Sequence, residues 1–345
     1  MADYSKMLSA AVRAVADACV LCREVQRNMA AVRAITKADQ SPVTVADFGS
    51  QAVVARVLRD ELGGIVLVGE ETSAYLRNPE HSAELTATLA AVQTVWEGAT
   101  EESLIEAIDV GASDPHHAGI AGLTGYWTLD PIDGTKGFLR GGQYAVSLGY
   151  VERGEVVLGV LGSPNLSADF ERAFDNPDER GCIHYALKGN GAFEVPADEA
   201  AGAGVHAARM EPPRRLAGEP VRFAMSVEAE HSDQSVMGRL VERLGGDEES
   251  LRLDSQAKYA VVARGQADAY IRIPTRPAPH SYTEWIWDHA AGAIIAAEAG
   301  CAVTDMDGRA LDFGHGRKLA KNRGIVAAPA EVHGRILGAL RELGA

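Results

Sequence analysis

Apolar residues recur at helical spacing from the start of the chain. Leu8, Ala11, Val12, Val15, Cys19, Cys22, Val25, Met29 and Val32 stand three or four positions apart. That spacing gives one face of a helix over about residues 4–35. A polar break from Lys37 to Pro42 follows, and a second helix runs from near Thr44 to Leu62, closed by Gly63-Gly64. Ile65-Val66-Leu67-Val68 is a short apolar run that reads as a buried strand, with Gly69-Glu70-Glu71 at its end. Residues 80–109, rich in Ala, Leu and Glu, predict two more helices, and a Gly-, His- and Pro-rich loop spans 111–125. Trp127-Thr128-Leu129 predicts a strand that delivers Asp130. Tyr144–Val151 and Glu155–Leu161 alternate with period two around Glu152-Arg153-Gly154, a hairpin pattern. Short strands follow near Ile183–Leu187 and Gly191–Val195.

Met210–Pro220 holds Pro212, Pro213, Gly218 and Pro220 and is the candidate linker. Beyond it the rhythm changes. Strands are predicted at Val221–Val227, Ala267–Ile273, Cys301–Val303 and Gly324–Ala328. Helices are predicted at His231–Leu244, Ser255–Gly265, Asp288–Ala299 and Ala330–Leu343. The expectation is an α+β part over 1–212, with helices on a largely antiparallel sheet, and an α/β part over 213–345.

Composition narrows the partners. The 345 residues carry 33 Lys and Arg against 48 Asp and Glu, a net charge of −15. So acidic a surface repels nucleic-acid backbones and anionic membranes, and neither is an expected partner. An anionic substrate would need a site made locally positive. No apolar run is long enough to span a bilayer, and Met1–Lys6 with Asp3 does not read as a signal peptide, so the expected location is cytoplasmic. Cys19, Cys22, Cys182 and Cys301 are too few and scattered for a disulfide scaffold. Cys19-x-x-Cys22 sits on the apolar stripe of the first helix and reads as core rather than as a redox pair.

The acids carry the chemistry. Asp130-Pro131-Ile132-Asp133-Gly134-Thr135 sets two carboxylates on a stiff turn, with Pro131 fixing its own φ and Gly134 permitting a tight bend. Buried carboxylates this close are costly unless a cation sits between them, and Mg²⁺ prefers such hard oxygen ligands. An ordinary polar turn is the plain alternative. Glu70-Glu71 is a second carboxylate pair at a strand end. Asp47 lies just inside the second helix, and Asp288 opens an apolar helix, where a simple N-cap is the competing reading.

Taken together, these segments resemble the lithium-sensitive phosphatase superfamily that includes inositol monophosphatase. Val68-Gly69-Glu70-Glu71, Asp130–Thr135 and Trp287-Asp288-His289-Ala290-Ala291-Gly292 occur in order at suitable separations, and the resemblance covers nearly the whole chain. Within it, Ser41–Asp47, Thr135–Tyr144, Leu253–Tyr259 and Asp268–Arg272 look like the 3′(2′),5′-bisphosphate nucleotidase branch. That resemblance implies a layered αβαβα sandwich and an activity, removal of the 3′-phosphate of adenosine 3′,5′-bisphosphate or of its sulfated form. It implies two or three Mg²⁺ ions held by Glu70, Asp130, Asp133, Asp288 and the carbonyl of Ile132, and inhibition by Li⁺. Asp47 and Thr135 would activate the attacking water, and the backbone N–H groups of Gly134 and Thr135 would cradle the phosphate. Ser255, Lys258 and Arg272 would hold the rest of the nucleotide, with His231 near the adenine. Sulfur assimilation and a monomer or homodimer are implied only through the family. For Lys258 and Arg272 the alternative is surface charge. For His116 and His117 it is solvated loop histidine rather than an extra metal site.

Two rivals remain. One is an inositol-phosphate or fructose-1,6-bisphosphate phosphatase with the same core, against which the Leu253–Tyr259 segment argues. The other is a non-catalytic nucleotide-binding sensor, expected to lack an acid of the metal set or the Asp47–Thr135 pair; none is missing.

Overall fold

A computed structural model describes residues 3–28, 35–36, 42–43, 45–115, 124–200, 207–211, 220–228, 232–246, 251–275 and 283–345. In chain order the first elements are α1 (Tyr4–Arg27), β1 (Ile35–Thr36), β2 (Pro42–Val43), α2 (Val45–Leu62), β3 (Leu67–Gly69), α3 (Ser82–Val92) and α4 (Glu101–Val110). Then come β4 (Gly125–Asp133), α5 (Thr135–Leu139), β5 (Ala145–Glu152), β6 (Glu155–Ser163), β7 (Cys182–Leu187), β8 (Gly191–Pro196) and β9 (Ala208–Arg209). The remainder is β10 (Phe223–Met225), α6 (Gln234–Arg243), β11 (Leu251–Arg252), α7 (Ala257–Ala263), β12 (Ala269–Arg272), α8 (Ala290–Glu298), β13 (Cys301–Thr304), β14 (Ile325–Pro329) and α9 (Ala330–Leu343).

The strands form a seven-stranded sheet in the order β3-β4-β5-β6-β7-β8-β9, a five-stranded sheet in the order β11-β10-β12-β14-β13, and the small β1–β2 pair. Among the described residues of the larger sheet, only β3 and β4 pair parallel; every other neighbour is antiparallel. The smaller sheet is mixed, β10 pairing parallel with β11 and β12, and β14 antiparallel with β12 and β13.

Burial stacks these sheets into layers. Val15 and Cys19 of α1 and Phe48 and Val53 of α2 pack with Leu129, Leu148 and Val160 on one face of the large sheet. Ala145 and Leu161 on its other face share a second core with Tyr259 of α7, Ile295 of α8, and Tyr270 and Ala327 of the small sheet. Ile271 and Val326, on the far side of the small sheet, pack with Leu240 of α6 and Ile336 and Leu340 of α9. The order is therefore helix, sheet, helix, sheet, helix, the expected αβαβα sandwich. The middle layer explains its own sequence. Every residue from Ala290 to Ala296 in α8 is buried, so the helix is apolar all round, whereas α1 and α9 each keep a polar face.

Local chemistry sets several boundaries. The β5–β6 hairpin turns at Arg153 (φ 53°) and Gly154 (φ 82°), the left-handed pair a two-residue connection needs. The first helix stops at Arg27, short of the expected residue 35. Asn28 caps it, its side chain donating to the carbonyl of Glu24 at 3.1 Å and satisfying an end-of-helix acceptor. The five-residue helix α5 and the two-residue strands were not expected, because elements so short have no periodicity to read. All four cysteines are free and buried, and Cys19, whose thiol burial pushes up to about 12, lies in the α1 core as expected. No helix among the described residues is long and apolar enough to cross a membrane.

Candidate active site

The site gathers where β3 ends beside β4, at the Gly69–Leu129 pair. β4 runs on through the whole Asp130–Asp133 segment, farther than Trp127–Leu129 alone predicted. Its register against β5 shifts between Asp130 and Asp133. That shift turns the segment into a shelf. The Asp130 carboxylate accepts from the Ile132 N–H at 3.1 Å, the Thr135 hydroxyl donates to the Ile132 carbonyl at 3.2 Å, and Ser50 of α2 donates to the Pro131 carbonyl at 2.9 Å. Gly134, at φ 86°, then starts α5. Glycine is required there twice over: the conformation is left-handed, and a Cβ would come within 3.1 Å of the Ser255 side chain.

The predicted acids converge. Burial, then Glu70, Asp133, Asp288 and Asp47 in that order, push the Asp130 carboxyl well above the usual carboxylate range. Burial, then Asp133, raises Asp288 in the same way. Asp133 is also raised, first by burial, against the opposing pull of Lys258, the Gln256 N–H, His289 and Arg272. Asp47 sits in the first turn of α2 and is only 2% exposed. Glu70 is half-buried, its N–H bonded to the Leu129 carbonyl at 3.2 Å, which ties β3 to the Asp130 turn. Gln51 of α2 grips the next residue, donating to the Glu71 carbonyl at 2.7 Å and accepting from its N–H at 3.0 Å. Asp288 is not a helix cap: α8 begins at Ala290, with His289 in the cap position and no side-chain capping bond. Carboxylates crowded at one corner, where neighbouring acids push the Asp130 and Asp288 carboxyls up, fit divalent cations. Asp130, Asp133, Asp288, Glu70 and the Ile132 carbonyl are the donors available.

The second predicted group lies against the first. Ser255 (φ 69°) takes a left-handed conformation that costs a non-glycine residue about 1–2 kcal/mol. The bend brings the Gln256 N–H onto the Asp133 carboxylate at 2.5 Å. Lys258, 3% exposed, donates to the carbonyls of Leu253 at 3.3 Å and Ser255 at 2.7 Å, and burial lowers its pKa to about 8. Arg272 is partly buried and pairs with Glu284 at 3.1 Å. Neither is ordinary surface charge. Arg140 joins the two segments through a 2.6 Å ion pair with Asp254. His231, His116 and His117 lie outside the described residues, as do 212–219 of the expected linker and 276–281 of the loop after Pro274.

Three contributors had no role assigned from the sequence. The Gln256 side chain donates to the Ser147 hydroxyl and the Trp287 carbonyl, both at 2.8 Å, and accepts from the Gly292 N–H at 3.1 Å. It thereby fastens the Asp288 segment to β5. Glu284 and His289 form a buried chain in which His289 meets Glu284 at 3.4 Å and Tyr259 at 2.9 Å. Local spacing does not mark them, because Gln256 finds Ser147, Trp287 and Gly292, and His289 finds Tyr259, at separations of 30 to 109 positions.

Five layers with an acid cluster where β3 ends beside β4 define the inositol monophosphatase type of fold. The family model for the inositol monophosphatase family matches residues 3–345, and the chain belongs to that family. Among curated relatives, a 3′(2′),5′-bisphosphate nucleotidase of Emericella nidulans is 38% identical, covering 99% of this chain and 99% of the relative. The 3′(2′),5′-bisphosphate nucleotidase 1 of Arabidopsis thaliana is 40% identical, covering 98% and 96%. The fold is shared with the extragenic suppressor protein suhB of Bartonella henselae (TM-score 0.63, 18% identity, 98% of each chain covered). It is also shared with CysQ of Bacteroides thetaiotaomicron (TM-score 0.59, 20% identity, 94% and 97% covered).

Proposed function

We propose that this protein is a magnesium-dependent 3′(2′),5′-bisphosphate nucleotidase that removes the 3′-phosphate of adenosine 3′,5′-bisphosphate, leaving AMP and phosphate. The sulfated nucleotide is a second substrate of the same kind. The observation that carries the reading is the Asp133 carboxylate. It belongs to the acid cluster, and it also accepts from Gln256 of the Ser255–Lys258 segment and faces Lys258. In this reading one carboxylate of the cation site also contacts the segment assigned to the rest of the nucleotide. The curated relatives of that name, matched over nearly their full length, support the same choice.

Two or three Mg²⁺ ions, bound by Glu70, Asp130, Asp133, Asp288 and the Ile132 carbonyl, would neutralise the phosphate and acidify the attacking water. Li⁺ is the expected inhibitor. The chain's own residues do the rest. Thr135 now donates its hydroxyl to Ile132. In turnover it accepts from the water and donates to Asp47, which holds the proton. The Gly134 and Thr135 amides receive the 3′-phosphate. Lys258 and Arg272 hold the 5′-phosphate, as a point charge and a planar fork respectively, Ser255 orients the ribose side, and His231 lies by the adenine. The net charge of −15 leaves nucleic acids and anionic membranes outside the partner range. The same reading includes a cytoplasmic location, a monomer or homodimer, and a division at residues 212–213.

Lys258 provides the test. Replacing it with alanine should lower kcat/KM for adenosine 3′,5′-bisphosphate far more than for inositol 1-phosphate, which has no second phosphate to hold. Equal losses on both substrates would overturn the nucleotide assignment.

A further inference from the structure

Glu70 and Asp288 come from opposite halves of the chain, and one side chain reaches the residue that precedes each of them. Arg317, on the loop before β14, donates from Nη2 to the carbonyl of Gly69 at 2.5 Å and from Nη1 to the carbonyl of Ser113 at 3.4 Å. Its guanidinium also lies over the Trp287 ring, 4.9 Å from the centroid. Gly69 and Trp287 immediately precede Glu70 and Asp288. The platform is itself braced. Trp287 stacks on Trp285 with centroids 4.8 Å apart and planes 9° from parallel, and Lys318 lies 4.1 Å over Trp285. Main-chain bonds from Ile286 N–H to the Arg317 carbonyl (3.1 Å) and from Leu319 N–H to the Glu284 carbonyl (2.9 Å) fix the loop against the Asp288 segment.

This arrangement uses what distinguishes arginine from lysine. A planar fork donates in two directions while its face stacks on an aromatic ring. The partners are backbone carbonyls at a strand end, which need a donor there. We propose that Arg317 is a positioning residue that sets the spacing between the Glu70 and Asp288 carboxylates, and through it the affinity of the site for divalent cations. The proposal rests on the reading of Glu70 and Asp288 as cation ligands.

Charge and position predict opposite results, which makes the proposal testable. Arg317 is a cation facing Glu70 and Asp114. If only its charge mattered, neutralising it would tighten binding of Mn²⁺ or Mg²⁺. If it positions the ligands, the same change weakens binding, by about 10- to 100-fold for loss of a residue that orients metal ligands. The measurement is Mn²⁺ titration of the full chain, followed by electron paramagnetic resonance, for wild type, Arg317→Met and Arg317→Lys. Half-activating Mg²⁺ is measured in parallel. Weaker Mn²⁺ uptake by Arg317→Met, a smaller loss in Arg317→Lys, and an unchanged KM for adenosine 3′,5′-bisphosphate at saturating Mg²⁺ are expected. Should Arg317→Met fail to fold, Arg317→Lys carries the test by the same criterion. Uptake equal to or tighter than wild type overturns this proposal alone. A wild type that takes up no Mn²⁺ overturns the ligand reading and this proposal with it.

Discussion

A negative charge on Asp130 is expensive in the metal-free fold, since burial and four neighbouring acids all oppose it. Asp47 is the member of that group whose proposed work is proton transfer rather than ligation. Asp47→Asn keeps the shape and removes the base. It is expected to leave the melting temperature and Mn²⁺ uptake near wild type while turnover falls by about 10²–10⁴-fold, the usual range for a positioned general base. Turnover near wild type would remove Asp47 from the mechanism. Asp130 and Asp133 around Pro131, and Glu70 and Glu71 after Gly69, stood out as pairs beside turn-forming residues, whereas Asp47 and Asp288 are single acids that only the resemblance singled out. Gln256, Glu284 and Arg317 were not legible. Each is a single polar residue whose meaning lies in contacts such as Arg317 to Gly69, across 248 positions.

At the scale of elements, the strands β5 to β8 and the helices α2 and α9 followed from apolar spacing: α9 buries one face, whereas α2 and β5 are apolar because they are buried on nearly every side. The pattern failed where an element has too few residues to show a period, as in α5, or where a polar cap overrides it, as at Asn28. β6 shows how closely the layers meet. A Cβ on Gly159 would lie 2.5 Å from the Ile294 side chain and 3.0 Å from the Ala291 backbone of α8. The helix backbone cannot retreat without moving the small sheet behind it. Gly159→Ala is therefore expected to destabilise the protein by about 1–3 kcal/mol, read as a lower denaturant midpoint. An unchanged midpoint would mean that the middle layer shifts freely.

Across the whole molecule, the acid cluster draws on both halves of the chain, so cation binding and folding are coupled. In the metal-free protein the Asp130 and Asp288 pKa values stand above their unfolded ones. Stability tied to their protonated forms is present at low pH and lost as pH rises through the raised values. Mg²⁺ bound at these acids would remove that penalty by replacing the protons. The rise in melting temperature on adding Mg²⁺ to chelator-treated protein should therefore be larger at pH 8 than at pH 5. An equal rise at both would break the link between the cluster and the cation. On the proposed function, this acidic chain uses bound cations to hydrolyse a doubly phosphorylated nucleotide. That reading is tested most directly by measuring phosphate release from adenosine 3′,5′-bisphosphate and from inositol 1-phosphate side by side, with Mg²⁺ and with chelator. The account predicts Mg²⁺-dependent release with a clearly higher kcat/KM for the nucleotide. Release that survives chelation, or a preference for inositol 1-phosphate, would contradict it.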